Sequence, residues 1–142
     1  MEDVNGRFYN KNSVEYGCFY DKNGAKYGWF CDKIVAQELL ALSNRIGDTR
    51  CFWIKERNKA EIDFIFNHDS MIFPIEVKSG HNSRLRSLHS FIDEAPVDIG
   101  IRVWSGHYSV EEHKTTIKGK RFRLINLPFY LVGKLPAILE SI

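Results

Sequence analysis

Apolar and polar positions follow two patterns along this chain, and each pattern predicts one kind of element. Short runs of β-branched and aromatic residues are typical of strands, whereas apolar residues three and four positions apart are typical of helices. The runs predict strands at residues 50–56, 61–66, 71–79, 97–104 and 121–126. Helical spacing occurs over residues 33–46 and 83–93, and Asp32 is the expected N-cap of the first helix. This order of elements indicates a mixed α/β layer fold.

The first 30 residues, residues 106–119 and the C-terminal segment are interpreted separately. The pair Asn23-Gly24 lies between two aromatic runs, and both residue types tolerate the positive φ of a tight hairpin turn. We therefore expect an N-terminal hairpin extension over residues 1–30 and a main domain over residues 31–142. Residues 106–119 are polar and mixed in charge, which indicates a loop or an edge hairpin, and a helical segment ends the chain.

Composition narrows the class of protein. A chain of 142 residues is the usual size of one domain, and its net charge of +2 indicates no particular partner. Cys18, Cys31 and Cys51 show no zinc spacing, so free thiols in a reducing compartment are expected. The acidic, polar start is unlike a signal peptide, and no apolar run approaches the ~18 residues that span a bilayer. A cytoplasmic location follows as an expectation.

Three charged residues, Asp63, Glu76 and Lys78, lie within the predicted core strands, where unpaired charges are costly. Alternation along a strand puts Glu76 and Lys78 on one face, and pairing of the two strands as a hairpin can add Asp63 to it. Converging carboxylates repel each other unless a divalent cation lies between them. A neighbouring lysine can orient or deprotonate a metal-bound water, or neutralise charge on a phosphate. Glu38, on the preceding helix, is placed to add a third carboxylate.

This arrangement resembles a known nuclease pattern. Asp63, twelve intervening residues and then Glu76-Val77-Lys78, with Glu38 upstream on a helix, are similar to the motif of the PD-(D/E)XK superfamily. The residue before the aspartate is isoleucine where the motif has proline. The resemblance implies a restriction-endonuclease-like fold, with a central mixed β-sheet flanked by helices.

A closer resemblance covers most of residues 28–142. It is to the nuclease-like domain of unknown function that ends many bacterial and archaeal AAA+ ATPases. The similar segments are FCDKIVAQELL, AEIDFIF, FPIEVKSG, SLHSF and INLPFYLVGKL. No GxxxxGK[ST] motif occurs, so we expect no ATP site in this chain. A stand-alone version, a degenerate copy and a fragment of a larger ATPase are all consistent with this pattern.

The resemblance to nucleases also implies roles for individual residues. Asp63 and Glu76 would hold Mg²⁺ or Mn²⁺, with the Val77 carbonyl as a further ligand. Glu38 would complete the metal shell, and Lys78 would position the attacking water. The implied reaction is cleavage of DNA phosphodiesters. The basic residues near the motif and in the densest basic stretch are candidates for contacts with the nucleic-acid backbone: Arg84, Arg86, Lys120 and Arg121.

Each of these features also has a plainer interpretation. Glu76 and Lys78 can be a same-face ion pair of little energetic value, and the arginines can simply solvate a helix. The whole domain can be a non-catalytic interaction module that docks to an ATPase module, to nucleic acid or to a second copy of itself. The sequence leaves the nuclease and the interaction module open.

Overall fold

A computed structural model describes residues 7–10, 14–19, 29–42, 50–55, 60–78 and 84–142. These residues form one mixed sheet with helices on both faces. The strands are β1 Arg7–Asn10, β2 Val14–Phe19, β3 Arg50–Lys55, β4 Ala60–His68, β5 Met71–Lys78, β6 Ile99–Trp104, β7 Ser109–Lys114 and β8 Arg121–Pro128. The helices are α1 Trp29–Leu42, α2 Arg86–Glu94 and α3 Leu135–Glu140, with a 3₁₀ segment at Phe129–Lys134 before α3.

The strand order in the sheet is β1-β2-β3-β4-β5-β6-β8-β7. Strands β5, β6 and β8 run parallel to one another, and the other neighbouring pairs are antiparallel. Helix α2 makes the crossover from β5 to β6, as parallel neighbours require. The carboxyl ends of β5, β6 and β8 therefore share one edge of the sheet, which is where open α/β sheets place their ligands.

The sheet has two apolar faces, and each is covered by different helices. On the face that we call the α2 face, Leu88, Phe91 and Ile92 of α2 pack with the buried strand residues Trp53, Ile62, Phe122 and Leu124. On the opposite face, called the α1 face, Val35 and Leu39 of α1 and Leu135 of α3 pack with Phe73, Ile75, Ile101, Val103, Ile125 and Leu127. Alternation along each strand produces this division.

Strand β4 contains a bulge beside β3. Trp53 pairs with Ile62, but Cys51 pairs with Ile65, so β4 has one more residue than β3 over this interval. Ile62 and Ile65 both contribute to the core on the α2 face. The bulge adds a residue where Asp63 lies, so strict alternation does not hold there.

The β4–β5 hairpin closes with a two-residue turn. Asp69 and Ser70 both have positive φ, 49° and 64°, as in the type I′ turn that matches the twist of hairpin strands. The strands predicted at residues 61–66 and 71–79 leave the four polar residues 67–70 between them as the turn. The structure instead continues β4 through His68, which pairs with Met71.

The predicted mixed α/β architecture is confirmed, with corrections at its boundaries. Helix α1 begins at Trp29, so Asp32 lies in its first turn and is not the N-cap. Residues 106–119 contain the edge strand β7. Asn23-Gly24 lies outside the described residues, and the antiparallel strands that are described before α1 are β1 and β2. None of the helices in the described ranges is long and apolar enough to cross a membrane.

Candidate functional site

Three residues of the predicted motif, Asp63, Glu76 and Lys78, lie at the end of the sheet that holds the carboxyl ends of the parallel strands. Ile75 and Val77 contribute to the core on the α1 face, so Glu76 and Lys78, which alternate with them, belong to the α2 face. Helix α2 begins at Arg86, after the end of β5, and packs on this face. Glu76 and Lys78 therefore lie at the end of the sheet where α2 begins.

Asp63 lies next to this pair through a hydrogen bond with the β5 backbone. Backbone pairing of β4 with β5 ends at Phe64 and Ile75. Beyond it, the Val77 N–H donates to Asp63 Oδ2 at 2.8 Å. The negative charge of Asp63 also contributes to raising the pKa of Glu76. The structure thus brings Asp63, Glu76 and Lys78 together.

Glu76 is an unusual carboxylate because it is buried and only half satisfied. Its residue is 5% exposed, and its Oε1 lies 2.6 Å from Lys78 Nζ. Its Oε2 is buried and makes no hydrogen bond of normal geometry among the described residues, although the Leu88 backbone N–H at the start of α2 is close enough to this carboxyl to oppose part of the rise in its pKa. Burial raises the pKa of Glu76 above its ordinary value, Asp63 raises it further, and Lys78 partly opposes the shift. An unpaired oxygen on a buried carboxylate destabilises the fold unless a ligand satisfies it.

Glu38 does not join the two carboxylates. Helix α1 packs on the α1 face, and Glu38 is exposed on it. A Cβ placed on Gly133 would lie 2.8 Å from Glu38 Oε2, so this carboxylate lies against the 3₁₀ segment. Over the described ranges, no group of three His, Cys, Asp or Glu side chains is arranged to hold a metal. The predicted three-carboxylate shell is therefore corrected to a pair, Asp63 and Glu76.

The four basic residues predicted to contact nucleic acid fall at two ends of the sheet. Arg84 and Arg86 are exposed at the start of α2, near the carboxylates. Lys120 and Arg121 lie at the opposite, amino end of β8; five residues of strand span ~17 Å. Lys120 Nζ donates to the Ile92 and Ala95 carbonyls, at 2.9 and 2.7 Å.

The capping bonds give Lys120 a structural role that the sequence did not suggest. Those two carbonyls lie at the C-terminal end of α2, where a helix leaves acceptors unpaired and favours positive charge. Lys120 is thus a helix cap. Arg121 is exposed next to it, so these two residues do not form one surface with Arg84 and Arg86.

Sequence reasoning missed a polar row that continues from Glu76 across the sheet. Glu76 pairs with Arg102, Arg102 with Asn126, and Asn126 with Ser109. Arg102 is 9% exposed and Asn126 is 0% exposed. Arg102 Nε donates to Asn126 Oδ1 at 2.8 Å. The sequence did contain a signal for this row. Arg102 is a charged residue inside the apolar run VDIGIRVW, and a charged residue inside an apolar strand is also what singled out Asp63 and Glu76.

Asn126 is held in turn by the edge strand. Its Nδ2 donates to Ser109 Oγ and to Glu111 Oε1, both at 2.8 Å. Glu111 Oε2 lies 3.0 Å from His113 Nε2. The hydrogen bond with His113, followed by the one with Ser109, lowers the pKa of Glu111. Two anchored partners therefore fix the orientation of the Asn126 amide.

Arg102 is also packed against an aromatic ring. Its guanidinium carbon lies 4.1 Å from the centroid of the Trp104 ring, and the Trp104 Nε1–H donates to the His107 carbonyl at 3.2 Å. Burial lowers the pKa of Arg102, whereas the charges of Glu111 and Glu76 raise it. Trp104 pairs with Lys78, so this cation–π pair lies beside the motif lysine.

The two carboxylates are of the ligand type that a hard divalent cation takes. Mg²⁺ usually takes one or two carboxylates and keeps several waters, and Glu76 Oε2 is a buried carboxylate oxygen that makes no hydrogen bond of normal geometry with the described residues. Asp63 provides the second carboxylate. The neighbouring strands β4, β5 and β6 therefore bring together two carboxylates (Asp63 and Glu76), the Lys78 ammonium and the Arg102 guanidinium.

Comparison with known proteins gives one match. A family model described as "Domain of unknown function (DUF4143)" matches residues 27–130, which is most of the chain. No curated protein and no solved structure matches the chain.

Proposed function

The chain belongs to the DUF4143 family, and we propose that it is a nuclease that uses Mg²⁺ or Mn²⁺ to hydrolyse DNA phosphodiesters. The observation that carries the proposal is the buried Glu76 carboxylate, whose Oε2 makes no hydrogen bond of normal geometry within the described part of the chain, with Asp63 and Lys78 beside it. A metal ion would satisfy this oxygen and remove the repulsion between the two carboxylates. The choice of DNA comes from the resemblance to PD-(D/E)XK nucleases.

Each residue of the site would have its own role in metal binding or hydrolysis. Asp63 and Glu76 would hold the ion, and the Val77 carbonyl is the further ligand that the resemblance implies. A bound divalent ion supplies an activated water and a Lewis acid for the phosphate. The side chain of Lys78 is 23% exposed, and its ammonium would orient a water or balance charge on a phosphate oxygen. Glu38 has no part in this reaction.

The test combines calorimetric titration of Mg²⁺ and Mn²⁺ with cleavage of single-stranded, duplex and branched DNA. Asp63→Asn should abolish both metal binding and cleavage, because it removes a ligand charge while it keeps an oxygen for the Val77 N–H. Lys78→Ala should retain metal binding and lose cleavage. Asp98→Asn is the matched control, since Asp98 is an exposed aspartate before β6, and it should behave as the wild type.

Either of two results would contradict the nuclease proposal. If the wild type binds neither ion at millimolar concentrations, and if Asp63→Asn behaves as Asp98→Asn does, the carboxylates are not metal ligands. Cleavage that persists in Asp63→Asn would have the same consequence.

A second candidate, a non-catalytic interaction module that docks to an ATPase module, is favoured by a different observation. The charges are partly matched within the protein: Asp63 accepts the Val77 N–H, Lys78 pairs with Glu76, and Glu38 lies on the other face. Such matching is consistent with a fold that keeps the motif without the chemistry. This account becomes the better one if the calorimetric titration shows no divalent-ion binding.

A further inference from the structure

We propose that Arg102 binds a phosphate oxygen of the substrate, as a preorganised guanidinium beside Glu76 and Lys78. The inference deepens the proposed function, on which it rests for the identity of the ligand as a phosphodiester. Nothing in the PD-(D/E)XK resemblance assigns a role to this position.

Arg102 lies in the strand next to the motif strand and at the same level. In the parallel register of β5 and β6, Arg102 lies opposite Glu76, and two residues further along Trp104 lies opposite Lys78. Gly100, two residues before it, packs under Leu88 and Ile92 of α2, so Arg102 belongs to the α2 face, as Glu76 does. A phosphate that approaches Lys78 at this edge therefore also approaches the guanidinium.

The guanidinium is held at two points that leave its end available. Nε donates to Asn126 Oδ1, and the flat group stacks over the Trp104 ring. Asn126 cannot turn away without breaking its bonds to Ser109 and Glu111. Fixing an arginine in this way removes the side-chain entropy that a flexible surface arginine would lose on binding.

The terminal nitrogens of Arg102 are not used within the described part of the chain. No described carboxylate forms an ion pair with Arg102, and its one hydrogen bond is made by Nε. The buried side-chain atoms without a partner include Glu76 Oε2 but no nitrogen of Arg102. Both Nη groups are thus donors without a hydrogen bond in the described part of the chain, and 9% of the residue stays exposed. The two Nη groups and their fork geometry suit the oxygens of a phosphate.

A purely structural role is the alternative, because a buried polar network can also fix strand register. The two roles predict different results. A structural arginine affects the free energy of unfolding, whereas a phosphate-binding arginine also changes the salt dependence of nucleic-acid binding. The experiment therefore measures both quantities.

The probe is a short, fluorescently labelled single-stranded DNA oligonucleotide, and binding is followed by anisotropy in EDTA and in Ca²⁺. Arg102→Gln should weaken binding about tenfold to a hundredfold, the usual range for a lost charge-assisted hydrogen bond. The slope of log K against log salt should fall in magnitude by about 0.7, the value for one phosphate contact on single strands. Arg102→Lys should keep the slope but recover only part of the affinity, because it retains the charge without the fork.

Arg121→Gln is the control, because Arg121 is an exposed arginine at the far end of the sheet, and it should match the wild type. Circular dichroism and thermal unfolding check that each variant folds. If Arg102→Gln does not fold, Arg102→Lys alone tests the proposal, through its affinity relative to Arg121→Lys.

The outcomes separate this proposal from the nuclease proposal. Arg102-dependent oligonucleotide binding in a protein that binds no divalent ion supports the phosphate role and removes the hydrolytic one. Metal-dependent cleavage that is equally fast in the wild type and in Arg102→Gln supports hydrolysis and overturns the role of Arg102. Equal affinity and equal salt slope in the wild type and both Arg102 variants, or no binding of the oligonucleotide by the wild type, also overturn it.

Discussion

Replacing Lys120 with methionine should destabilise the fold and leave nucleic-acid binding unchanged. Lys120 donates to two carbonyls at the C-terminal end of α2. Methionine keeps most of the apolar stem, so the change removes the ammonium and little of the packing. The variant thus isolates the contribution of the charged cap.

The expected loss in the free energy of unfolding follows from the hydrogen bonds that Lys120→Met removes. A hydrogen bond from a charged group contributes about 1.5–3 kcal/mol, and the helix dipole adds about 0.3–1 kcal/mol. Lys120 is only half-buried, so water can replace part of what is lost at Ile92 and Ala95. We therefore expect a total loss of about 2 kcal/mol in the free energy of unfolding. For a chain of this length, that lowers the Tm by roughly 6–8 °C.

The assay is urea unfolding followed by circular dichroism, with thermal unfolding in parallel. Arg121→Met is the control, because Arg121 is the adjacent exposed residue and exposed substitutions usually change stability by at most about 0.5 kcal/mol. Oligonucleotide binding is measured on the same two samples.

The opposite pattern would refute this reasoning. If Lys120→Met and Arg121→Met unfold at the same urea concentration, the capping bonds do not stabilise α2. If Lys120→Met weakens oligonucleotide binding as strongly as a change at Arg102 does, the nucleic-acid role expected from the sequence is restored.

Two further predictions concern the site and the helix above it. Burial raises the pKa of Glu76 above its ordinary value of 4.5, so its contribution to stability is complete below that value and is lost as the pH rises through the raised pKa. In EDTA, Glu76→Gln should therefore gain stability relative to the wild type between acidic and neutral pH, and a difference that does not change with pH would contradict this. A Cβ on Gly100 would lie 3.0 Å from Ile92 Cδ1 and from Leu88 Cδ2, so Gly100→Ala should cost about 1–3 kcal/mol by overpacking. Thermal unfolding measures it, and an unchanged Tm would show that α2 moves aside freely.

The strands of the motif could be predicted from sequence because their signals are local. β-branched and aromatic runs mark β4 and β5, and the short polar segment between them requires a hairpin. The exact turn could not be predicted, since Asn67 and His68 are polar but still pair with Ile72 and Met71.

The position of Glu38 could not be predicted, because it depends on which face of the sheet a helix covers. Helical spacing correctly placed Val35 and Leu39 on an apolar side of α1. The same spacing is satisfied by packing on either face of the sheet. Long-range contacts decide between them: Val35 and Leu39 pack on the α1 face, and Glu38 lies against Gly133 of the 3₁₀ segment.

The polar row was missed for a related reason. A single arginine in an apolar strand has no partner that is visible in the sequence, and Asn126 lies 24 positions further along. Their contact exists because β6 and β8 are parallel neighbours, with β7 passing outside them. Spacing along the chain carries no information about such neighbours.

The turn at Asp69 and Ser70 also limits how this protein can change in length. Outward from that turn, β4 and β5 pair residue by residue as far as Phe64 and Ile75. Asp63 and Glu76 are the next residues on the two strands. One inserted or deleted residue in β5 between the turn and Ile75 would move Glu76 to the other face. Lineages that lengthen or shorten this hairpin must therefore change it by pairs of residues or abandon the site. A one-residue length variant is consequently a natural experiment on whether the site is still in use.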